Sequence, residues 1–185
     1  MLLLSMGVSV DGFVCNRDED FSWGAPDDEL FSFHTERIST LGACILGRKL
    51  YEMMLVWEND PEFRKTELDK RFAELWTALP KVVFSRTLTS VQGNARLATG
   101  SVAEEVAATL ASTGKDVEIG GPTLAGQAIE LGLVDEFAIF RYPVIVGGGT
   151  PLLPPVAKDV PLDLVETRTF SSRIIYERYR RAAAE

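Results

Sequence analysis

A glycine turn between a short strand and a helix constrains this chain more than any other stretch. Residues Val117 to Leu131 run from an apolar strand into Gly120 and Gly121 and then directly into a helix. Glycine lets a backbone approach a ligand closely, and the first turn of a helix carries unpaired N–H groups and a partial positive charge. This layout predicts a turn that binds an anion such as a phosphate.

Length and charge limit the classes of function. The chain has 185 residues and a formal net charge of -8. This length suits one well-buried core, so we predict a single domain over residues 1–185. Broad attraction to nucleic acid or to an anionic membrane needs surplus Lys and Arg, so the charge argues against both partners. A small anionic molecule can still bind in a local basic pocket.

The cysteines and the first residues bear on the compartment. Cys15 and Cys44 are the only cysteines, and they do not form a disulfide framework. The apolar run Leu2 to Leu4 is followed by polar residues too soon for a signal peptide or a membrane span. We therefore expect a soluble cytoplasmic protein with reduced thiols.

Strand and helix patterns alternate along most of the chain. Apolar runs bounded by turn residues predict strands at Leu2–Val8, Ala43–Leu46, Val82–Phe84, Ala95–Ala98, Val117–Ile119 and Glu136–Tyr142. Helical spacing predicts helices from Asp27 to Gly42, from Gly47 through Leu55, over Glu62–Leu79 after Pro61, over Val102–Leu110, and after Gly121. Leu162–Phe170 and Ile174–Arg180 are typical of an antiparallel pair. The fold class is therefore α/β: a three-layer, mostly parallel central sheet with helices on both faces and a C-terminal antiparallel hairpin.

Polar or glycine-rich segments follow the predicted strands. They are Ser9–Gly12, Gly47–Lys49, Ser85–Thr87 and Gly120–Thr123. Each alone is more typical of a plain tight turn than of a ligand site. Ligands of parallel sheets gather at the carboxyl ends of the strands, so the shared position favours a joint role.

Several of these segments resemble the motifs of a known superfamily, in the same order. The motifs are Ser9-Val10-Asp11-Gly12, Leu46 to Glu52, Val83 to Thr87, Ile119-Gly120-Gly121, and Pro143 with Gly147 to Gly149. The chain resembles the dihydrofolate-reductase-like superfamily over nearly its whole length. Within it, the chain is most similar to the reductase domain of the bifunctional riboflavin-biosynthesis deaminase-reductase. The resemblance also suggests a homodimer.

The resemblance implies NADPH as the cofactor. Residues implied to hold the adenosine 2'-phosphate are Gly47, Arg48, Lys49, Ser85, Arg86 and Thr87, and those implied at the pyrophosphate are Gly120, Gly121, Pro122 and Thr123. Leu124 is a further expected cofactor contact. The nicotinamide is expected across the first strand, at Val8 to Val10. Arginine side chains suit a phosphate, although a solvated surface arginine is the default interpretation of either one. Leu50 stands where many relatives have a threonine, which removes one hydroxyl contact to the cofactor phosphates.

The resemblance also suggests substrate and catalytic residues. Ser9 and Gly148 are expected to contact the substrate, and Asp11 to line the active site; the alternative for Asp11 is a plain turn residue. The run from Trp23 to Asp28 matches the Trp-x-x-Pro-x-Asp pattern of dihydrofolate reductases, which makes Asp28 a candidate pterin-binding carboxylate. The competing interpretation is that Asp27 and Asp28 only cap and charge a helix.

No metal site is expected. His34-Thr35-Glu36 matches the His-x-Glu of zinc deaminases, but no Pro-Cys-x-x-Cys follows. His34 is the only histidine, so it cannot belong to a multi-histidine site, and we assign it to an ordinary helix position.

Three functional hypotheses remain from the sequence. The first is an NADPH-dependent reductase that transfers hydride to an imine or carbonyl of a small heterocycle, with a riboflavin-pathway ribosylaminopyrimidine as the leading substrate. Its proton comes from water or from Asp11 or Asp28. The second is a dihydrofolate or pterin reductase, and the third is a nucleotide-binding or regulatory module without catalysis.

Overall fold

The computed structural model describes residues 1–183 and has an eight-stranded sheet at its centre. The strands are β1 (Leu2–Ser9), β2 (Phe13–Cys15), β3 (Leu41–Gly47), β4 (Lys81–Phe84), β5 (Ala95–Leu97), β6 (Asp116–Gly120), β7 (Glu136–Tyr142), β8 (Thr150–Pro151), β9 (Leu162–Thr169) and β10 (Ile175–Arg181). The helices are α1 (Asp28–Thr40), α2 (Arg48–Met54), α3 (Val56–Asn59), α4 (Glu67–Ala78), α5 (Val102–Ser112) and α6 (Pro122–Glu130). Strands β2 and β8 form a separate small pair.

The strand order of the main sheet is β5-β4-β3-β6-β1-β7-β10-β9. The six strands from β5 to β7 are parallel, and β10 and β9 add an antiparallel hairpin at one side. Because five parallel connections need crossovers, the helices lie on the two faces of the sheet. The predicted three-layer α/β fold with a closing hairpin is confirmed.

Side-chain alternation along the strands divides the core between the two faces. On β6, Val117 and Ile119 pack with α5 and α6, while Glu118 and Gly120 face the side of α1 and α2. On β3, Ile45 packs in the core on the side of α5 and α6. Cys44 and Leu46 pack in the core on the opposite face of the sheet, with α2 and α4. The strand β1 therefore presents its odd-numbered residues to α1.

The predicted long helix over Glu62–Leu79 was wrong at its beginning. Pro61–Arg64 forms a short 3-10 helix with non-helical angles at Phe63, and α4 begins only at Glu67. Thr66 caps α4, because its hydroxyl accepts from the N–H of Asp69 at 3.0 Å and the Asp69 carboxylate accepts from the N–H of Thr66 at 2.9 Å. This capping box satisfies two free N–H groups and fixes the helix start.

Within the described residues, no helix is long and apolar enough to cross a membrane. Cys15 is half-buried, Cys44 is buried, and both are free thiols.

Candidate functional site

The four predicted segments lie at one edge of the sheet, where the parallel strands end. Along this edge, Ser85–Thr87 follows β4, Gly47–Lys49 adjoins the end of β3, Gly120–Thr123 adjoins the end of β6, and Ser9–Gly12 ends β1. Since these strands are neighbours in the sheet, the segments form a continuous row. The structure thus brings the predicted residues together, while their binding roles stay predictions.

The turns after β3 and β6 approach each other through two glycines. Gly121 has φ +96°, and a Cβ built there would lie 3.6 Å from the N atom and 3.7 Å from the Cα of Gly47. Positive φ strongly favours glycine at Gly121. This places the beginnings of α2 and α6 side by side at the edge.

The two helices that begin at this edge have no side-chain cap, a property that they share with the four-residue α3. Asp27, Thr66 and Ser101 cap α1, α4 and α5 with their side chains, whereas α2 and α6 begin after Gly47 and Gly121 with no side-chain cap. In α6 the N–H groups of the first turn are left without an intrahelical partner. These two uncapped N-termini give the edge a partial positive charge suited to an anion.

The basic side chains of this row differ in whether they already form an ion pair within the protein. Arg48 donates to Glu52 at 3.0 Å, and Lys49 pairs with Glu19. Arg86 is exposed and forms no ion pair with any residue from 1 to 183. The turn that carries Arg86 is held by the Ser85 hydroxyl, which accepts from the N–H groups of Thr87 at 3.1 Å and Leu88 at 2.9 Å.

Two residues of the predicted cofactor set can contribute only through their backbone. The side chains of Val8 and Leu124 are 1% and 6% exposed and belong to the core beneath α6. Their side chains are therefore unavailable to a ligand, so any contact from these two positions would come from the main chain.

Asp11 ties the end of β1 to the loop of three glycines. Its carboxylate accepts from the N–H groups of Val146 at 3.2 Å and Gly147 at 2.8 Å. The Ser9 hydroxyl and these two N–H groups lower the pKa of Asp11 below its ordinary value, so the group is an anion at neutral pH. This geometry favours the turn role of Asp11 over that of a proton donor.

The glycine loop itself lies against β2. Gly147, Gly148 and Gly149 have φ of +72°, +138° and +136°, and a Cβ on Gly148 would lie 2.7 Å from the guanidinium of Arg17. Arg17 also donates to the carbonyl of Gly147 at 2.6 Å. The loop containing Gly148 is therefore closely packed, and Ser9 is buried, with its hydroxyl accepting from the N–H of Phe13 at 3.0 Å.

The two acidic residues before α1 take different places. Asp27 is the cap of α1 and accepts from the N–H of Leu30 at 2.9 Å. Asp28 is exposed in the first turn and forms no hydrogen bond with the part of the chain that the structure describes. The capping interpretation is therefore confirmed for Asp27, and a substrate role for Asp28 stays a prediction.

A group of rings at the boundary of β1 and β7 escaped prediction. Tyr142 packs over Gly7, Trp23 lies edge-on to Tyr142 with ring centroids 5.4 Å apart, and His34 lies 4.4 Å from Phe140. The only sign of this group in the sequence was Gly7 within an apolar strand, because a glycine inside a strand often marks a place where another part of the protein approaches the backbone closely.

Comparisons with known proteins agree with this geometry. Residues 1–176 match the family model described as RibD C-terminal domain. The uncharacterized protein YyaP of Bacillus subtilis (strain 168) is 31% identical over 176 residues, which cover 94% of this chain and 91% of that protein. The family resemblance predicted from the motifs is therefore confirmed.

Solved structures share the fold. A putative riboflavin biosynthesis protein from Shewanella sp. PV-4 has a TM-score of 0.77 at 21% identity, with 98% of this chain and 99% of that chain covered. Dihydrofolate reductase from Enterococcus faecalis, complexed with NADP(H), has a TM-score of 0.64 at 16% identity, with 99% and 97% covered. The chain therefore has the dihydrofolate-reductase-like fold.

Proposed function

Because the chain belongs to the RibD C-terminal domain family, we propose that it is an NADPH-dependent reductase of a small heterocyclic substrate. The observation that carries this proposal is the order of the segments along the sheet edge. Arg86 follows β4, Gly47–Lys49 adjoins β3, Gly120–Thr123 adjoins β6, and Val8–Val10 ends β1. An extended dinucleotide has its parts in the same order: adenosine phosphate, pyrophosphate and nicotinamide.

The width of the row fits an extended ligand. Neighbouring strands lie about 4.8 Å apart, so the edge from β4 to β1 spans roughly 14 Å. The pyrophosphate would then lie at the uncapped N-terminus of α6, where the turn of Gly120 and Gly121 admits its close approach. Arg86 and Arg48 would supply charge for the 2'-phosphate in a protein whose formal net charge is -8.

The chain's own part in the reaction is to bind and orient. When bound, the nicotinamide supplies a hydride, which the family resemblance directs to an imine or carbonyl carbon. The main chain at Val8–Val10 would position the ring, and packing at this edge would exclude water. Because Asp11 is an anion held by N–H donors, the proton is proposed to come from water, with Asp28 as the alternative.

A riboflavin-pathway ribosylaminopyrimidine remains the leading substrate. Its support is the RibD family itself and the resemblance to the Shewanella protein. A folate or pterin reductase is the second candidate, since Trp23 to Asp28 match the dihydrofolate reductase pattern. Against it, the buried α1 residue nearest that pattern is Leu30, which bears no carboxylate.

Two measurements test this proposal. Calorimetric titration with NADPH and NADH is expected to show binding with a clear preference for NADPH, and absence of NADPH binding would overturn both reductase candidates. Loss of NADPH absorbance is then followed with 5-amino-6-(5-phosphoribosylamino)uracil and with dihydrofolate. Turnover of the first alone supports the leading substrate, and turnover of dihydrofolate alone supports the second. NADPH binding without hydride transfer to either compound leaves an unrelated substrate, and only a lack of transfer to any substrate favours a non-catalytic module.

A further inference from the structure

A cleft of about 300 Å³ lies on the α1 face of the sheet, near the end where β1, β6 and β7 begin. Leu3 of β1 and Ala138 of β7 form its floor, and Phe33 of α1 forms part of its wall. Leu3 and Phe33 are half-buried, so apolar surface remains accessible in the cleft, and the small Ala138 side chain adds little bulk to the floor. A cavity of this size can hold a small organic molecule.

The cleft is separate from the row of segments at the carboxyl edge. Leu3 lines the cleft and Ser9 lies at the row, and both belong to β1. A strand rises about 3.3 Å per residue, so these two positions are roughly 20 Å apart along β1. A small molecule in the cleft would therefore leave the proposed cofactor site free.

Tyr176 on β10 brings a free hydroxyl to the cleft. The residue is 3% exposed, and its ring packs against Phe33 with centroids 5.0 Å apart. Its hydroxyl forms no hydrogen bond with residues 1–183, and it is not among the side-chain atoms that are sealed in the core without a partner. Burial raises the pKa of Tyr176, so the hydroxyl keeps its proton at neutral pH. Because the ring is already held in place, binding an acceptor here costs little side-chain entropy.

Arg37 reaches the cleft from α1. Its guanidinium donates to the Ser5 hydroxyl at 2.7 Å and to the Glu118 carboxylate at 3.1 Å, and its side chain is 19% exposed. A guanidinium has five N–H donors in a planar fork. Arg37 therefore keeps N–H donors that have no acceptor in the described chain.

Arg178 and Arg180 line the cleft from β10, beside Tyr176. Both donate to the buried carboxylate of Glu136, Arg178 at 3.3 Å and Arg180 at 2.6 and 2.8 Å, and Arg178 also donates to Glu166 at 3.2 Å. The carboxylates hold these guanidinium groups in place without using all of their N–H donors. An acceptor-rich group such as a carboxylate would complete their hydrogen bonds.

Each carboxylate that lines the cleft already has a cationic partner. Asp116 accepts from the terminal ammonium of Met1 at 2.9 Å, and Glu136 and Glu166 pair with the arginines of β10. A cationic ligand would have to share one of these partners, whereas an anion can use the free N–H and O–H donors. The cleft therefore favours an anion.

We propose that this cleft binds a small planar carboxylate with an aromatic ring. The ring lies on Leu3 and Ala138 beside Phe33, where burial of its apolar surface is favourable. The carboxylate accepts from the Tyr176 hydroxyl and from Arg37, whose planar fork matches it. Because the cleft lies away from the cofactor row, this inference does not rest on the proposed function.

Benzoate is the probe, and the four tyrosines of the chain report on its binding. The full-length protein, labelled at its tyrosine ring carbons, is titrated with benzoate and followed by NMR. The Tyr176 signal, identified by its loss in Tyr176→Phe, is expected to shift and saturate, while that of Tyr179, on the opposite face of β10, stays in place. An unmoved Tyr176 signal at the solubility limit of benzoate overturns the inference.

Two analogues test the charge of the ligand. Benzamide keeps the ring without the charge, and benzylamine carries a positive charge. Benzoate is expected to bind about tenfold more tightly than benzamide, because hydrogen bonds that involve an ion are about twice as strong as neutral ones. Equal or tighter binding of either analogue overturns the assignment of an anion.

Variants separate recognition from packing. Tyr176→Phe keeps the ring and removes the hydroxyl, so the affinity for benzoate measured by calorimetry is expected to fall about tenfold. Tyr179→Phe makes the same change on the other face of β10 and is expected to keep wild-type affinity. Ala138→Leu fills the floor of the cleft and is expected to abolish binding, with thermal unfolding as the check that each variant folds. Wild-type affinity in Tyr176→Phe, or an equal loss in Tyr179→Phe, overturns the inference.

Discussion

The Cδ2 atom of Leu50 lies so close to Gly120 that a Cβ on this glycine would come within 2.4 Å of it. Cδ2 of Leu46 would lie 3.2 Å away on the same side. The leucine therefore occupies the space over the turn, at the position where the family resemblance implies a threonine hydroxyl. A Cβ on Gly120 would therefore require the Leu50 side chain to shift, independently of any contact with a cofactor.

Gly120→Ala is expected to lower the free energy of unfolding by about 1 kcal/mol, the low end for overpacking, because the flexible Leu50 side chain can partly shift. Leu50→Ala in the same chain should relieve the clash, so the two changes should show a favourable coupling in a double-mutant cycle of urea unfolding. Gly114→Ala is the matched control, because a Cβ there meets nothing within 4 Å. Simple additivity of the Gly120 and Leu50 changes would contradict the steric explanation.

Arg86→Ala is expected to weaken NADPH about 10- to 100-fold, because charge-assisted hydrogen bonds contribute about 1.5–3 kcal/mol each. NADH affinity should change by less than about twofold. Arg48→Ala should have a smaller effect on NADPH, since Arg48 must first leave Glu52. Arg173→Ala, in the turn between β9 and β10, is the control, and calorimetry measures all four proteins. Equal losses for both cofactors would show that Arg86 does not bind the 2'-phosphate.

His34 should make the protein less stable in mild acid. Its folded pKa is about 3, against about 6.5 in an unfolded chain. Between these values only the unfolded chain takes up the proton, so the free energy of unfolding falls as the pH falls below 6.5. From pH 7 to 5 this contribution is about 2 kcal/mol. Urea unfolding of wild type and His34→Phe at both pH values measures it, and identical pH dependence of the two proteins would refute it.

Lys81 is expected to be a major contributor to stability. Its side chain is fully buried, and Nζ donates to the carbonyls of Trp76 at 2.6 Å and Leu79 at 3.0 Å and lies 3.1 Å from the Glu58 carboxylate. Lys81→Ala leaves Glu58 buried and unpaired, so we expect a loss of about 3–5 kcal/mol in thermal or urea unfolding. Lys70→Ala removes an exposed pair with Glu67, which solvent screens, and should change stability much less than Lys81→Ala does. Similar losses for both lysines would be the contrary result.

The fold could be predicted from local patterns because turn residues bound its strands clearly. The run of β7 from Glu136 to Tyr142 is an example, and its prediction agrees with the structure. The start of α4 was missed because Pro61 is a conspicuous helix-start signal, while the capping box at Thr66 uses a less common Asp at its third position.

The site was predictable only where its residues adjoin strand ends. The pairing of Lys49 with Glu19, and of Asp11 with Gly147, joins distant parts of the chain through tertiary packing, and no local spacing indicates either. His34 was assigned to an ordinary helix position because it is the only histidine, and the structure places it on α1 beside Phe140 of β7, far along the sequence. The contact between the His34 and Phe140 rings is therefore a property of the assembled fold alone.

Strand β9 forms an outer edge of the sheet, where the backbone hydrogen-bonding groups on one side have no neighbouring strand. All eight of its residues are exposed, and it is the outermost strand beyond β10, whereas the opposite outer strand β5 has only three residues. Its outer N–H and C=O groups are available to a further strand, and Leu164 is 59% exposed beside them. The predicted homodimer is one way to cover this edge. If this edge is not covered, high protein concentration should cause open-ended association through β9. The substitution Leu164→Lys should suppress this association.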